Sequence, residues 1–105
     1  MENSEKISRH VKFWKKFLRL TRGRVPVLRA LEVISGEETN ESFKDVVLSI
    51  RSALEQGMTM SQALQKYPQE FSPSVVELVK MAEKSGAWDE LLQEIADGLS
   101  EGTFD

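Results

Sequence analysis

The sequence contains no cysteine, a single histidine, only three prolines and no long apolar run. The absence of cysteine excludes disulfides, thiolate zinc sites and cysteine nucleophiles. The longest apolar run, at positions 25–28, is too short for a membrane span or a signal peptide, so the sequence predicts a soluble chain. Neither the GxGxxG nor the GxxxxGK[ST] pattern of a glycine-rich phosphate loop occurs.

Charge is unevenly distributed along the 105 residues, which we predict to form one domain over 1–105. Residues 1–29 contain nine Lys or Arg and two Glu, a net charge of +7, so the remainder carries −10 in a chain of net charge −3. This split predicts a basic surface opposite an acidic one, which would orient the domain at a membrane or a partner. Charged side chains that only solvate helix faces would give the same split, and both interpretations stay open.

Apolar residues recur at helical spacing throughout the chain, and each break contains glycine or proline. We therefore predict an all-α fold, a compact antiparallel six-helix bundle without strands. Gly36 is expected to end the second helix and Pro68 the fourth. The predicted helices cover residues 4–21, 26–35, 40–56, 59–67, 72–85 and 88–99.

Helix-capping signals are clearest in the second half of the chain. Thr59 and Gln62 have capping-box spacing, and Ser72 is a good N-cap before Pro73. Gly86 follows the fifth helix, where a left-handed conformation costs glycine little. The fifth and sixth helices then follow each other so closely that their apolar faces must pack on each other or on a shared core.

Several short segments resemble those of a known family. They are Phe13 with Phe17, GRVPV at 23–27 with Pro26, Ala30-Leu31, GMTMSQAL at 57–64 beginning with Gly57, PQEFSP at 68–73 with Phe71 and Pro73, and Glu83-Lys84-Ser85-Gly86. Through them, residues 13–99 resemble the cytoplasmic domain of the type II secretion system protein F family, inner-membrane platform proteins shared with type IV pilus assembly. The family favours glycine where this chain has Arg24 and Ala82, and leucine where it has Trp88.

The resemblance implies a non-catalytic protein–protein interaction module of a secretion or pilus platform. It implies docking with a second copy, with the secretion ATPase and with other platform proteins, at the cytoplasmic face of the bacterial inner membrane. The membrane helices of such a protein are expected outside this chain. Two alternatives stay open: a small helix-turn-helix DNA-binding protein, with its turn at residues 23–26, and a free-standing cytosolic adaptor. The acidic balance of residues 30–105 argues against specific nucleic-acid binding.

No catalytic residue and no cofactor are expected. His10 is predicted to be a surface or boundary residue, and paired carboxylates such as Glu94 and Asp97 are predicted to be solvated. Glu83 lies in the segment of the resemblance that is easiest to recognise. It could bond the turn at residues 85–86, pair with Arg29, or help bind calcium at an interface. The structural interpretations are favoured, because calcium needs six to eight oxygen ligands.

Self-association is expected from the family resemblance and from the broad apolar face of the first helix. One helix of a six-helix bundle can bury only part of its circumference in its own core, and the remainder would mark an interface. A two-fold homodimer would let this patch cover itself. The candidate interface residues are Phe13, Trp14, Phe17 and Leu20.

Overall fold

The computed structural model describes residues 2–102, with side chains from residue 4 onward. These residues form six α-helices joined by short connections, and no strand occurs among them, which confirms the predicted all-α fold. The helices are α1 Glu2–Arg22, α2 Val27–Glu37, α3 Glu41–Glu55, α4 Met60–Leu64, α5 Pro73–Ser85 and α6 Trp88–Glu101. Within residues 2–102, no helix has the length and apolar character needed to span a membrane.

The predicted caps are present. Thr59 forms the reciprocal capping box with Gln62, its hydroxyl accepting from the Gln62 N–H at 3.2 Å and its own N–H donating to Gln62 Oε1 at 3.0 Å. The Ser72 hydroxyl accepts from the Val75 N–H at 3.3 Å, and Gly86 ends α5 with φ 79°. These bonds satisfy backbone groups that a helix end leaves without intrahelical partners, so local sequence determines where these helices begin and end.

Two predicted helix ends were wrong. α2 continues through Gly36 to Glu37, because the chain leaves the helix by an extended conformation at Glu38 (φ −74°, ψ 128°), which requires no glycine. α4 ends at Leu64, before Pro68, and a backbone bond from the Tyr67 N–H to the Leu64 carbonyl (3.0 Å) continues the turn.

The core forms where α1 packs along α6 and α2, while α2 packs on α3 and α5 on α6. The expected contact between α5 and α6 is thereby confirmed. Aromatic rings fill the centre of this core, with centroid separations from 4.9 Å for Phe13 and Trp14 to 6.5 Å for Phe13 and Phe71. The largest side chains that are almost completely buried are Trp14, Phe17, Phe43, Phe71, Leu31, Ile50, Leu64, Leu92 and Ile95.

The C-terminus of α1 is a Schellman motif with arginine at its left-handed position. The Val25 N–H donates to the Leu20 carbonyl and the Arg24 N–H to the Thr21 carbonyl, both at 3.0 Å. Arg24 has φ 66° and is the only non-glycine residue between 2 and 102 with positive φ. The same pair of bonds ends α3, where Gly57 (φ 101°) takes this position. Glycine, which the resemblance leads us to expect at residue 24, would adopt this conformation without strain.

We expect Arg24→Gly to raise the free energy of unfolding by about 1 kcal/mol. An L-residue in the left-handed region costs roughly 1–2 kcal/mol, which exceeds the backbone entropy of about 0.4–1 kcal/mol that glycine adds to the unfolded chain. Urea unfolding measures the change. Arg19→Gly is the matched control, because Arg19 is exposed in a regular turn of α1 and its replacement should destabilise by about 0.5–1 kcal/mol. If both substitutions destabilise the protein, the claim that Arg24 is strained in its left-handed conformation is wrong.

Candidate interaction site at one end of the bundle

An open apolar cavity of about 600 Å³ lies at one end of the bundle, and we name it the end groove. All six helices reach it, through the C-terminal turns of α1, α3 and α5 and the N-terminal turns of α2, α4 and α6. Its volume is in the range of ligand-binding clefts. Its lining residues are Phe17, Thr21, Val27, Leu28, Leu54, Met58, Thr59, Met60, Glu83, Trp88, Asp89 and Leu92.

The end groove is where separate segments of the family resemblance meet. Val27 comes from the segment at 23–27, and Met58 and Met60 from the segment at 57–64. Glu83 and Trp88 come from the segment that joins α5 to α6. Their convergence depends on which helix ends meet in the fold, which helical periodicity does not report. Helical spacing alone therefore does not reveal this site.

Glu83 links α5 to the N-terminus of α4 by hydrogen bonds. Its Oε2 accepts from the Ser61 N–H and its Oε1 from the Ser61 hydroxyl, both at 2.8 Å. Ser61 is 4 % exposed and its N–H is one of the donors that the first turn of α4 leaves free. Neither of the two anticipated protein contacts of Glu83 occurs, because Arg29 pairs with Glu32 and the Ser85 hydroxyl accepts from the Ala87 N–H at 3.1 Å.

Both carboxylate oxygens of Glu83 are thus committed to Ser61, and the geometry gives no support to a calcium ligand there. Among the described residues, no group of three His, Asp or Glu side chains lies close enough to hold a metal ion. Pro26, Gly57 and Phe71 act in the fold as the N-cap of α2, the left-handed residue after α3 and a core side chain, respectively.

The structure places the aromatic interface candidates in the core. Phe13, Trp14 and Phe17 are 2 %, 0 % and 2 % exposed, whereas Leu20 is half-buried. Packing on both α6 and α2 encloses more of the α1 circumference than the sequence suggested. The structure therefore does not bring the three rings to a surface that another copy could contact.

The prediction that His10 lies at the surface or boundary was wrong. It is 4 % exposed, with its ring centroid 4.9 Å from that of Phe43 and 5.1 Å from that of Phe71. Its Nε2 lies 2.9 Å from Glu70 Oε1. Burial lowers the pKa of His10 from its ordinary value of 6.5, although the hydrogen bond and charge of Glu70 oppose the change. Lys6 and Arg9 lower the pKa further.

This lowered pKa predicts a pH-dependent stability. The unfolded chain binds a proton at His10 near its ordinary pKa of 6.5, but the folded chain binds it only at lower pH. The contribution of His10 to stability is therefore fully present above its pKa in the unfolded chain. It is lost as the pH falls toward its lower pKa in the folded chain. Urea unfolding between about pH 7.5 and about pH 5.5 should show a falling free energy. His10→Gln should remove this contribution, and an unchanged slope in that variant would refute the assignment.

Two exposed stripes of opposite charge run along neighbouring helices. The basic stripe on α1 consists of Lys12, Lys15, Arg19 and Arg22, and the acidic stripe on α6 consists of Glu90, Glu94, Asp97 and Glu101. Both follow helical spacing, so each lies along one face. α1 packs on α6, and Arg22 Nε lies 3.7 Å from Asp89 Oδ2. Part of the opposite charge thus lies on adjacent helices, whereas the sequence suggested opposite surfaces.

Comparison with known proteins identifies the family. Residues 13–102 match the family model of type II secretion system (T2SS), protein F. The type IV pilus assembly protein PilC of Myxococcus xanthus is 31 % identical over 84 residues, which cover 80 % of this chain and 20 % of that protein. PilC of Thermus thermophilus is 34 % identical over 73 residues, covering 70 % of this chain and 18 % of that protein.

The likeness extends to type II secretion itself. Type II secretion system protein F of Vibrio cholerae is 26 % identical over 78 residues, covering 74 % of this chain and 19 % of that protein. The chain spans about a fifth of the length of the curated relatives it matches. Because the family model matches most of its residues, the chain belongs to the type II secretion system protein F family.

Proposed function

We propose that this chain is a non-catalytic protein–protein interaction module of a bacterial type II secretion or type IV pilus inner-membrane platform. In this proposal, residues 1–105 form one domain at the cytoplasmic face of the membrane, docking with a second copy and with the secretion ATPase. Support comes from the relatives, which are named for type IV pilus assembly and type II secretion. Nucleotide hydrolysis is left to the ATPase partner.

The pair of charged stripes is the observation that supports self-docking best. Each stripe spans about 15 Å, because its four residues cover nearly three helical turns. In a two-fold dimer the basic stripe of one copy faces the acidic stripe of the other, and this contact forms twice. Complementary surfaces of this kind steer association and fix its register, and salt weakens them. This interface needs none of the buried aromatic side chains.

Sedimentation measured over a concentration series and at two salt concentrations tests the proposal. Lys12→Glu with Lys15→Glu cancels the net charge of the basic stripe, and Glu94→Lys with Asp97→Lys cancels that of the acidic stripe. Each double variant alone should associate more weakly than the parent chain, because both contacts then lose their charge complementarity. An equimolar mixture should associate more strongly than either variant alone, since one of its two contacts again pairs a fully basic stripe with a fully acidic one. A monomeric parent chain at high micromolar concentration, or a mixture that associates no more strongly than either variant alone, would refute stripe pairing.

Docking with the ATPase is tested separately. The purified chain and the cognate secretion ATPase should co-elute in gel filtration. Loss of this complex in the stripe variants would assign the ATPase to the same surface, and its persistence would assign it elsewhere. Absence of any complex would contradict this part of the proposal.

A further inference from the structure

The end groove is a second surface with its own chemistry. We propose that it binds an amphipathic, positively charged peptide segment of a partner protein, with large apolar side chains inserted between the helix ends and a Lys or Arg next to the acidic lining. This docking mode places anchors at helical spacing in a hydrophobic groove. The proposal does not depend on self-association, because it uses helix ends and not the outer faces of α1 and α6.

Apolar side chains at the groove are left partly open to solvent. Val27, the first residue of α2, is 41 % exposed. Leu28, Leu54, Met58 and Trp88 are each half-buried around the same cavity. Single exposed apolar residues are ordinary on a protein surface, but a contiguous apolar depression marks an interaction site. A volume of about 600 Å³ accommodates several side chains of a partner.

The lining can adapt to different apolar side chains. Met58 and Met60 both line the groove, on either side of the Thr59 cap. Methionine is unbranched and polarizable, which makes it common at surfaces that accept varied apolar partners. Trp88 adds a large ring at the beginning of α6, and aromatic residues of this kind often dominate binding energy. The groove is therefore suited to a segment with leucine, methionine or phenylalanine anchors.

The charged side chains that line the groove favour a positively charged partner residue. Within the described residues, its charged lining side chains are two carboxylates, Glu83 and Asp89. Glu83 receives its hydrogen bonds from neutral donors of Ser61, and no Lys or Arg of the described residues forms an ion pair with it. Asp89 meets Arg22 at 3.7 Å with both side chains about half exposed, and such pairs contribute little. A partner Lys or Arg is thus favoured, and a partner carboxylate is repelled.

The probe for this site is a synthetic helical peptide of about 14 residues, nearly four turns, with leucines on one face and lysines on the other. Two matched peptides replace the lysines by glutamate or the leucines by serine. Titrations are followed by amide and indole NMR signals of the 105-residue chain. The lysine peptide should shift signals of Val27, Met58 and Trp88, and both matched peptides should bind at least about tenfold more weakly.

Two variants at equally exposed positions distinguish binding in the groove from nonspecific binding elsewhere on the surface. Val27→Gln should weaken binding of the lysine–leucine peptide by about tenfold or more, because it places a neutral polar side chain in the apolar mouth of the groove. Leu48→Gln is the matched control, since Leu48 is also 41 % exposed but does not line the groove, and it should leave binding unchanged. Asp89→Asn should reduce the preference for lysine over glutamate.

The acidic stripe of α6 is the competing site for a cationic peptide. Glu94→Lys with Asp97→Lys should leave the signal shifts at the groove in place. Shifts confined to the stripe, equal binding of the glutamate peptide, or unchanged binding by the Val27→Gln variant would each overturn the proposal. Since the double stripe variant is also the test of self-docking, failure of one proposal is distinguishable from failure of the other.

Discussion

Replacing Trp14 by alanine is expected to lower the free energy of unfolding by about 3–5 kcal/mol. The indole is 0 % exposed, and its ring centroid lies 4.9 Å from Phe13, 6.1 Å from Phe17 and 6.2 Å from Phe71. Truncation removes these contacts and leaves a cavity that the surrounding rings cannot close. A loss of this size approaches the whole stability of a small domain, commonly about 5–15 kcal/mol.

Urea unfolding followed by far-ultraviolet circular dichroism measures this loss. Trp88→Ala is the matched control, because Trp88 is only half-buried, and it should cost clearly less. Trp14→Phe should also cost less than Trp14→Ala. It keeps a ring in the core and removes an indole N–H that has no acceptor within the described residues. A change below about 1 kcal/mol for Trp14→Ala would mean that this core position is not packed as described.

Trp14 is a poor probe of association between protomers. A dimer disrupted by Trp14→Ala would report unfolding of the protomer, because Trp14 presents no surface to a second copy. Substitutions in the exposed stripes avoid this ambiguity, since surface changes away from special features usually alter stability by less than about 0.5 kcal/mol. Lys15 and Glu94 are therefore better probes of association than the aromatic residues of α1.

The helices were predictable wherever a local bond defines them. Asn40 caps α3 by accepting from the Phe43 N–H at 2.9 Å, and the caps at Thr59 and Ser72 likewise join residues three apart. Because such bonds join residues close together in the sequence, the residue types at a few neighbouring positions predict them. The end of α2 was not predictable in this way, because Gly36 permits a left-handed stop without requiring one.

Neither the end groove nor the burial of His10 could be predicted from the sequence, because both depend on contacts that join distant parts of the chain. His10 and Glu70 are 60 residues apart, and Ser61 and Glu83 are 22 apart. A single His or Glu in a sequence has many possible partners, and only the packed fold determines which one it contacts. The acidic stripe is different, because Glu90, Glu94, Asp97 and Glu101 already have helical spacing in the sequence. Projecting charges as well as apolar residues onto each helix would have found it.

Glu83→Ala is expected to lower the free energy of unfolding by about 1.5–3 kcal/mol, because it removes two hydrogen bonds to a charged acceptor. It also leaves the Ser61 N–H without an acceptor at a buried helix N-terminus. A buried donor that bonds neither to water nor to the protein costs free energy. α4 has only five residues and little stability of its own, so this attachment to α5 should matter more than a bond within a long helix.

A double-mutant cycle with Ser61→Ala separates the two bonds. Ser61→Ala alone removes the hydroxyl bond and should cost about 0.5–1.5 kcal/mol, while its N–H still donates to Glu83. Glu83→Ala in the Ser61→Ala background then measures the N–H bond, and the coupling energy measures the hydroxyl. Glu77→Ala is the control on α5, because Glu77 is exposed and should change stability by less than about 0.5 kcal/mol. If Glu83→Ala costs no more than this control, Glu83 does not hold α4 in place, and its occurrence in the family segment needs another explanation.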